Sequence, residues 1–108
     1  MISVAITKRN NEIVEVSLNG HAGYADYGQD IVCAAVSVLV INTFNSIEKF
    51  TDDAFKSDAA EDGGYISMAF PEGISDSSKL LLDSMILGLD EIQKQYGDEY
   101  ISLQYKEV

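Results

Sequence analysis

Residues 30–49 read DIVCAAVSVLVINTFNSIEK, and this stretch decides the fold prediction. Asp30 is a residue type that caps helix N-termini well, and the apolar residues after it occupy almost every face of a helix. A helix with so little polar surface is typical of the centre of a core. We therefore predict a core helix from Ile31 to about Lys49. Its C-terminal half is more polar and contains Asn42, Asn45 and Glu48.

Two runs before this helix alternate apolar and polar residues, which is the period of half-buried strands. They are residues 2–8, with Ile2, Val4 and Ile6 on one side, and residues 12–18, with Val14, Val16 and Leu18 on one side. A turn at residues 9–11 joins them. The next segment, GHAGYADYG at residues 20–28, shows neither period and holds three glycines, Gly20, Gly23 and Gly28. It is predicted to be a flexible loop.

Three further strands are predicted after the helix. Residues 53–60 and 65–70 indicate a hairpin around a turn at residues 61–64, and the weaker first run is placed at an edge of the sheet. Residues 99–106 alternate again and end the chain as a strand.

A second helix separates the hairpin from the last strand. Ser75 or Asp76 is its predicted N-cap and Gly97 ends it, and its apolar residues recur at three-to-four spacing. Residues 80–82 and the stripe that follows are expected in the core. The element order is thus ββαββαβ, an α+β fold with a mainly antiparallel sheet and two helices in a single domain, residues 1–108.

Composition limits the class of protein. The formal charge of −11 over 108 residues repels phosphate backbones and anionic lipid surfaces, so we expect no direct nucleic-acid binding and no membrane partner. The longest apolar run, residues 31–41, would span about 17 Å as a helix, short of the roughly 30 Å of bilayer hydrocarbon. The same negative charge would attract a basic partner.

The chain holds one cysteine, Cys33, and one histidine, His21. This count excludes an internal disulfide framework and a Cys/His zinc cluster, so we expect a cytoplasmic protein with no metal and no cofactor.

The same two residues flank the glycine-rich loop. With Asp30 as the cap, Cys33 is the third residue of the helix, where the helix dipole favours a thiolate and free backbone N–H groups could bind an oxyanion. The dipole contributes only about 0.3–1 kcal/mol, and nearby Asp26 and Asp30 oppose ionisation, so another positive group is required. His21 is the local candidate, as an ion-pair partner and as a proton donor to a leaving amine.

Each of these residues also has a structural interpretation. Cys33 can be an apolar filler, His21 a turn residue and Asp30 only a helix cap. Ser37, one turn beyond Cys33, can support the thiol or bond back to the carbonyl of Cys33, and we favour back-bonding. Tyr24 and Tyr27 can line a peptide groove or cover the core.

The stretch GHAGYADYGQDIVCAAVSVL, residues 20–39, resembles the signature of the Prp family of ribosomal-processing cysteine proteases. The resemblance implies an endopeptidase that removes a short N-terminal extension from a protein of the large ribosomal subunit, cutting after an aromatic residue and before a small one. It implies a nucleophile at Cys33 and a general base at His21. The residues implied to shape the site or bind substrate are Gly20, Gly23, Gly28, Asp30 and Ser37.

The resemblance also implies a loop that orders on substrate binding, a basic ribosomal protein precursor as substrate, and a homodimer. Two alternatives remain at this point. One is a noncatalytic acidic module that docks on a basic ribosomal protein, and the other is a redox sensor, which is disfavoured because the chain has no second cysteine to resolve a sulfenic acid.

Overall fold

The computed structural model describes residues 1–26 and 28–108. The elements follow the predicted order ββαββαβ, which confirms the α+β fold class. The strands are β1 (Ile2–Arg9), β2 (Glu12–Asn19), β3 (Lys56–Ala59), β4 (Tyr65–Ala69) and β5 (Ile101–Glu107), and the helices are α1 (Ile31–Phe50) and α2 (Asp76–Tyr96).

The five strands form one sheet in the order β3-β4-β2-β1-β5. Three of its pairings are antiparallel and the β1–β5 pairing is parallel, so the prediction of a mainly antiparallel sheet is confirmed. Strand β3 is at an edge, as predicted, and its residues are exposed, but it is four residues long and so shorter than the predicted run of residues 53–60. Alternate residues of β1 are buried together with residues of both helices in one core.

The turn between β1 and β2 is made by Asn10 and Asn11, whose φ angles are 51° and 65°. Asparagine tolerates this left-handed conformation better than most residues. The pairing register then shifts between Thr7 and Lys8, where β2 carries an extra residue. The bulge turns Ile13 into the core and leaves Val14 half-buried, so the predicted inward position of Val14 is wrong.

Helix α1 begins after Asp30 as predicted, but its central position in the core is not observed. Its buried residues lie on one side, at Val32, Val36, Val40, Thr43, Phe44 and Ile47. On the other side Ile31, Val38 and Ile41 are exposed. The sheet and α2 cover only part of a helix that is apolar nearly all round.

By length and composition, α1 is long and apolar enough to cross a membrane. A single helix of this kind is weak evidence for a membrane span, because core helices pass the same test. In this fold Val32, Val36 and Val40 pack within the hydrophobic core.

Helix α2 is capped by Ser75, whose hydroxyl accepts a hydrogen bond from the backbone N–H of Ser78. Its core residues are Leu82, Met85 and Leu89, which confirms the predicted stripe. Leu80 is 71% exposed, however, so its predicted core position is wrong. Three-to-four spacing gives the period of a helix but not which of several adjacent leucines faces inward.

A carboxylate ties the end of α1 to the start of α2. Asp53 Oδ2 accepts hydrogen bonds from the N–H of Ser75 at 2.9 Å, from the Ser75 hydroxyl at 2.8 Å and from the Ser78 hydroxyl. The hydrogen bond from Ser78 is the largest of the effects that hold the pKa of Asp53 below its usual range.

Candidate active site

His21 lies two residues after the end of β2 and is exposed at the start of the glycine-rich loop. Its position is fixed by Gly20, whose N–H donates to the carbonyl of Gly64 at 2.8 Å. Gly20 has φ +96°, and a Cβ atom there would lie 2.4 Å from the carbonyl oxygen of Met1. Only glycine tolerates both this φ angle and this close approach, so position 20 requires glycine, and its hydrogen bond holds the backbone next to His21.

Cys33 occupies the third position of α1, as predicted, and is half-buried against the core. Asp30 Oδ1 accepts hydrogen bonds from the N–H groups of Val32 and Cys33, both at 3.0 Å. Asp30 Oδ2 accepts from the N–H of Tyr24, also at 3.0 Å. Asp30 therefore caps the helix and fastens the loop to it.

The helix cap changes the prediction of an oxyanion site. The first-turn N–H groups of Val32 and Cys33 are occupied by Asp30, and the N–H of Ala34 donates to the carbonyl of Asp30 at 3.0 Å. The backbone N–H that does face the cysteine belongs to Ala22, which donates to Sγ at 3.1 Å. Sequence reasoning missed Ala22, since no local pattern predicts which loop N–H meets the sulfur.

The surroundings of Cys33 favour the thiol over the thiolate. Burial raises the pKa of Cys33, the hydrogen bond from Ala22 lowers it, and the negative charge of Asp30 raises it again, with a net shift upward. Burial also raises the pKa of Asp30, but hydrogen bonds led by the N–H of Cys33 outweigh it and lower that pKa. Asp30 thus opposes the ionisation of Cys33, as expected from the sequence.

A cavity of about 530 Å³ collects most of the predicted site residues. These are Gly20, His21, Gly28, Asp30, Cys33 and Ser37. Gly23 has φ +72° in the same loop but does not line the cavity. The far wall is apolar and includes Ile41, Ala59 and Ile66, which also border a second, smaller hollow beside α1.

His21 and Cys33 both line the cavity, and no hydrogen bond joins these two described residues. The imidazole instead lies beside the β3–β4 turn, where Asp62, Gly63 and Gly64 complete the wall. Sequence reasoning missed these three residues, because only the pairing of β2 with β4 brings them near His21.

Two secondary interpretations are also decided here. Ser37 is exposed at the cavity, and within the described residues it makes no bond back to the carbonyl of Cys33, contrary to our preference. The ring of Tyr24 packs edge-on against Tyr96, with centroids 5.6 Å apart, and against Tyr100 at 5.1 Å, so it covers the core rather than lining the cavity. Tyr27 lies outside the described residues.

Across residues 1–26 and 28–108, no group of three or more His, Cys, Asp or Glu side chains could hold a metal ion.

A half-buried cysteine in the first turn of a helix, with a histidine across the same cavity, fits the class of cysteine hydrolases. The model of the family described as cysteine protease Prp matches residues 1–102, and the chain belongs to this family. The protein is therefore a cysteine protease, which argues against the docking-module and redox-sensor alternatives.

Relatives and solved structures agree with this assignment. The chain is 33% identical over 103 residues to the ribosomal processing cysteine protease Prp of Bacillus subtilis, covering 91% of this chain and 92% of that protein. It is 32% identical over 107 residues to the Prp of Staphylococcus aureus, covering 98% and 100%.

The structure resembles that of the S. aureus Prp protease with a covalently linked product peptide, with a TM-score of 0.93 at 32% identity, covering 98% of this chain and 100% of that one. The S. aureus protease with a substrate peptide gives a TM-score of 0.85 at 31% identity, with the same coverage.

Proposed function

We propose that this protein is an endopeptidase that removes the short N-terminal extension of a large-ribosomal-subunit protein, with Cys33 as nucleophile and His21 as general base. The observation that carries the proposal is the shared cavity, which has both side chains in its lining. The relatives named as ribosomal processing proteases support the substrate class.

The proposed reaction is acyl transfer. His21 takes the thiol proton of Cys33, and Sγ attacks the carbonyl carbon of the scissile peptide bond. His21 then gives that proton to the leaving amine, which departs and leaves a thioester on Cys33. His21 next takes a proton from water, the hydroxide attacks the thioester, and the returned proton restores the thiol.

Loop closure is the step that makes this chemistry possible. The pKa of Cys33 is raised by burial, so a thiolate forms only when a protonated imidazole is close enough to stabilise it. The imidazole of His21 must therefore turn toward Sγ while Gly20 holds the backbone, and substrate binding supplies the energy by ordering the loop around Gly23 and Gly28. The N–H of Ala22, 3.1 Å from Sγ, is positioned to reach the oxyanion of a carbonyl attacked by that sulfur.

The cavity and the charge suit the proposed substrate. Ile41 and Ile66 give the wall an apolar surface that accepts an aromatic side chain next to the cut. The net charge of −11 attracts a basic ribosomal protein precursor. Asp30 holds the loop and Ser37 lies one helical turn from the nucleophile, where its hydroxyl can contact bound peptide.

The assembly and location form part of the same proposal. We propose a homodimer in the cytoplasm, with no cofactor and no direct contact with nucleic acid or membrane. A second copy would cover the exposed apolar side of α1, where Ile31, Ala35 and Val38 share one helical face.

The test is a cleavage assay read by mass spectrometry, with the host's ribosomal protein precursor and matched proteins carrying Cys33→Ala or Cys33→Ser. Loss of the N-terminal extension should require the unsubstituted cysteine, while both variants keep the fold and the binding of precursor. Full activity in either variant would overturn the proposed nucleophile. Binding without any cut by the unsubstituted protein would overturn the proposed substrate.

A further inference from the structure

The turn between β3 and β4, residues 61–64, forms one wall of the cavity that holds His21 and Cys33. Three of its residues, Asp62, Gly63 and Gly64, line that cavity directly. A hairpin turn needs polar and glycine residues for its geometry alone. The position of this turn against the imidazole gives it a second role.

Strand pairing sets that position. Asn19 of β2 pairs with Tyr65 of β4, and the hydrogen bond from Gly20 N to Gly64 O at 2.8 Å continues the pairing one step beyond the strands. His21 comes next in the chain. Its backbone is therefore held opposite the turn by the sheet itself and not only by the loop.

The contact is close because Gly64 has no side chain. A Cβ atom there would lie 3.2 Å from Nε2 of His21 and 3.1 Å from Oδ1 of Asp62, so the two polar atoms flank the same point. Nε2 thus faces the turn, which leaves Nδ1 as the ring nitrogen available to the thiol. Asp62 Oδ1 already accepts the N–H of Gly64 at 2.8 Å, and Oδ2 is left for another donor.

Charge considerations point to the same carboxylate. The titratable side chains lining the described cavity are His21, Asp30, Cys33, Asp62 and Tyr65. Asp30 is committed to three backbone N–H groups and acts against the thiolate. Asp62 is the other lining carboxylate, on the turn that the imidazole lies beside, where a negative charge stabilises the imidazolium.

We propose that Asp62 is a positioning residue for the proteolytic reaction. Its Oδ2 accepts a hydrogen bond from Nε2 of His21, directs Nδ1 toward Sγ of Cys33 and stabilises the imidazolium that forms with the thiolate. The two side chains are adjacent but not bonded in the described structure, and the contact forms in the closed arrangement, which the free protein samples and bound substrate stabilises. The proton transferred is that of the thiol, and no proton passes to Asp62. This inference rests on the proposed roles of His21 and Cys33.

The test compares Asp62→Asn with Glu61→Gln. Asparagine keeps the acceptor for the N–H of Gly64 and so keeps the turn, but it loses the negative charge. Glu61→Gln removes the same charge from the neighbouring turn residue, which does not line the cavity. Two quantities are measured at neutral pH: the kcat and KM of precursor cleavage, and the rate at which iodoacetamide alkylates Cys33. Thermal unfolding checks that both variants are folded.

We expect Asp62→Asn to lower kcat on the order of tenfold with little change in KM, and to slow alkylation by a similar factor, while Glu61→Gln changes neither. Equal kcat values and equal alkylation rates in the two variants would overturn the proposal. A higher KM with normal kcat and alkylation would also overturn it, because Asp62 would then act on substrate and not on His21. If the unsubstituted protein cleaves no precursor, the proposed substrate fails, and the alkylation rates still decide the role of Asp62.

Discussion

Asp30 accepts a 3.0 Å hydrogen bond from the backbone N–H of Cys33 while its charge raises the pKa of the thiol of the same residue. One carboxylate therefore stabilises the helix that carries the proposed nucleophile and makes its thiol harder to ionise. The two effects can be separated, because capping needs an acceptor atom and the effect on the thiol needs a charge.

Asp30→Asn should separate them. Asparagine keeps the cap at Oδ1 and loses only the exposed acceptor of the Tyr24 N–H, so stability should fall less than in Asp30→Ala, which also loses the cap and should lower the free energy of unfolding by about 1 kcal/mol. Removal of the charge lowers the pKa of Cys33 in Asp30→Asn, and the alkylation rate then rises at a lower pH. Urea unfolding and the pH dependence of iodoacetamide alkylation measure the two effects. An unchanged alkylation profile would show that Asp30 does not act on the thiol through its charge.

Gly20→Ala should destabilise the protein more than Gly23→Ala. Both positions have positive φ, at +96° and +72°, but only the Cβ at position 20 meets a backbone oxygen, that of Met1, at 2.4 Å. Left-handed strain alone costs about 1–2 kcal/mol, and the added clash should bring Gly20→Ala to about 2–4 kcal/mol. Denaturant unfolding of both variants measures the difference. Equal losses would mean that the contact with Met1 relaxes freely.

The elements that the sequence predicted correctly carry local signals. Asp30 followed by an apolar run specifies both the start of α1 and the place of Cys33 in its first turn, because capping and helical spacing are properties of neighbouring residues. The alternation in β1 is equally local. His21 and Cys33 could be paired in one site because they flank a single loop.

The features that the sequence did not predict depend on contacts between distant segments. The place of Asp62 beside His21 follows from the pairing of β2 with β4, and nothing near either residue encodes that register. The burial of Ile13 instead of Val14 follows from a shift in the β1–β2 pairing. The sequence did not predict that one side of α1 is exposed. An apolar helix face has the same composition whether it packs on its own sheet or on a partner chain.

Acid unfolding should depend on Asp53. Its pKa is held below the ordinary value of 3.8 by hydrogen bonds, first from the Ser78 hydroxyl and then from the N–H of Ser75. A lower pKa in the folded protein means that the stabilisation is fully present above the unfolded value and is lost as the pH falls through the folded value. Asp53→Asn should therefore flatten the acid limb of the stability curve. Its exposed neighbour Asp52 gives the control, since Asp52→Asn should leave that limb unchanged in urea unfolding at several pH values.

Val38→Glu should dissociate the proposed homodimer. Val38 is 70% exposed on the apolar side of α1, and a carboxylate buried there in each of two copies would be desolvated without a partner. Val38→Thr keeps the shape of the side chain and should leave the dimer in place. Light scattering after size-exclusion chromatography gives the molar mass. The dimer, or the place of α1 in it, is refuted if Val38→Glu and the unsubstituted protein have the same mass.

Ile41→Asn should weaken substrate binding more than it slows the chemistry. Ile41 lies on the wall shared by the cavity of His21 and Cys33 and the neighbouring hollow, and it is 47% exposed, so the fold should tolerate the change. Loss of this apolar contact with a substrate side chain should raise KM about tenfold and change kcat little. Leu80→Asn is the matched control, because Leu80 is 71% exposed on α2 and does not line the cavity. A KM that rises equally in both variants, or in neither, would place the apolar side chain of the substrate elsewhere.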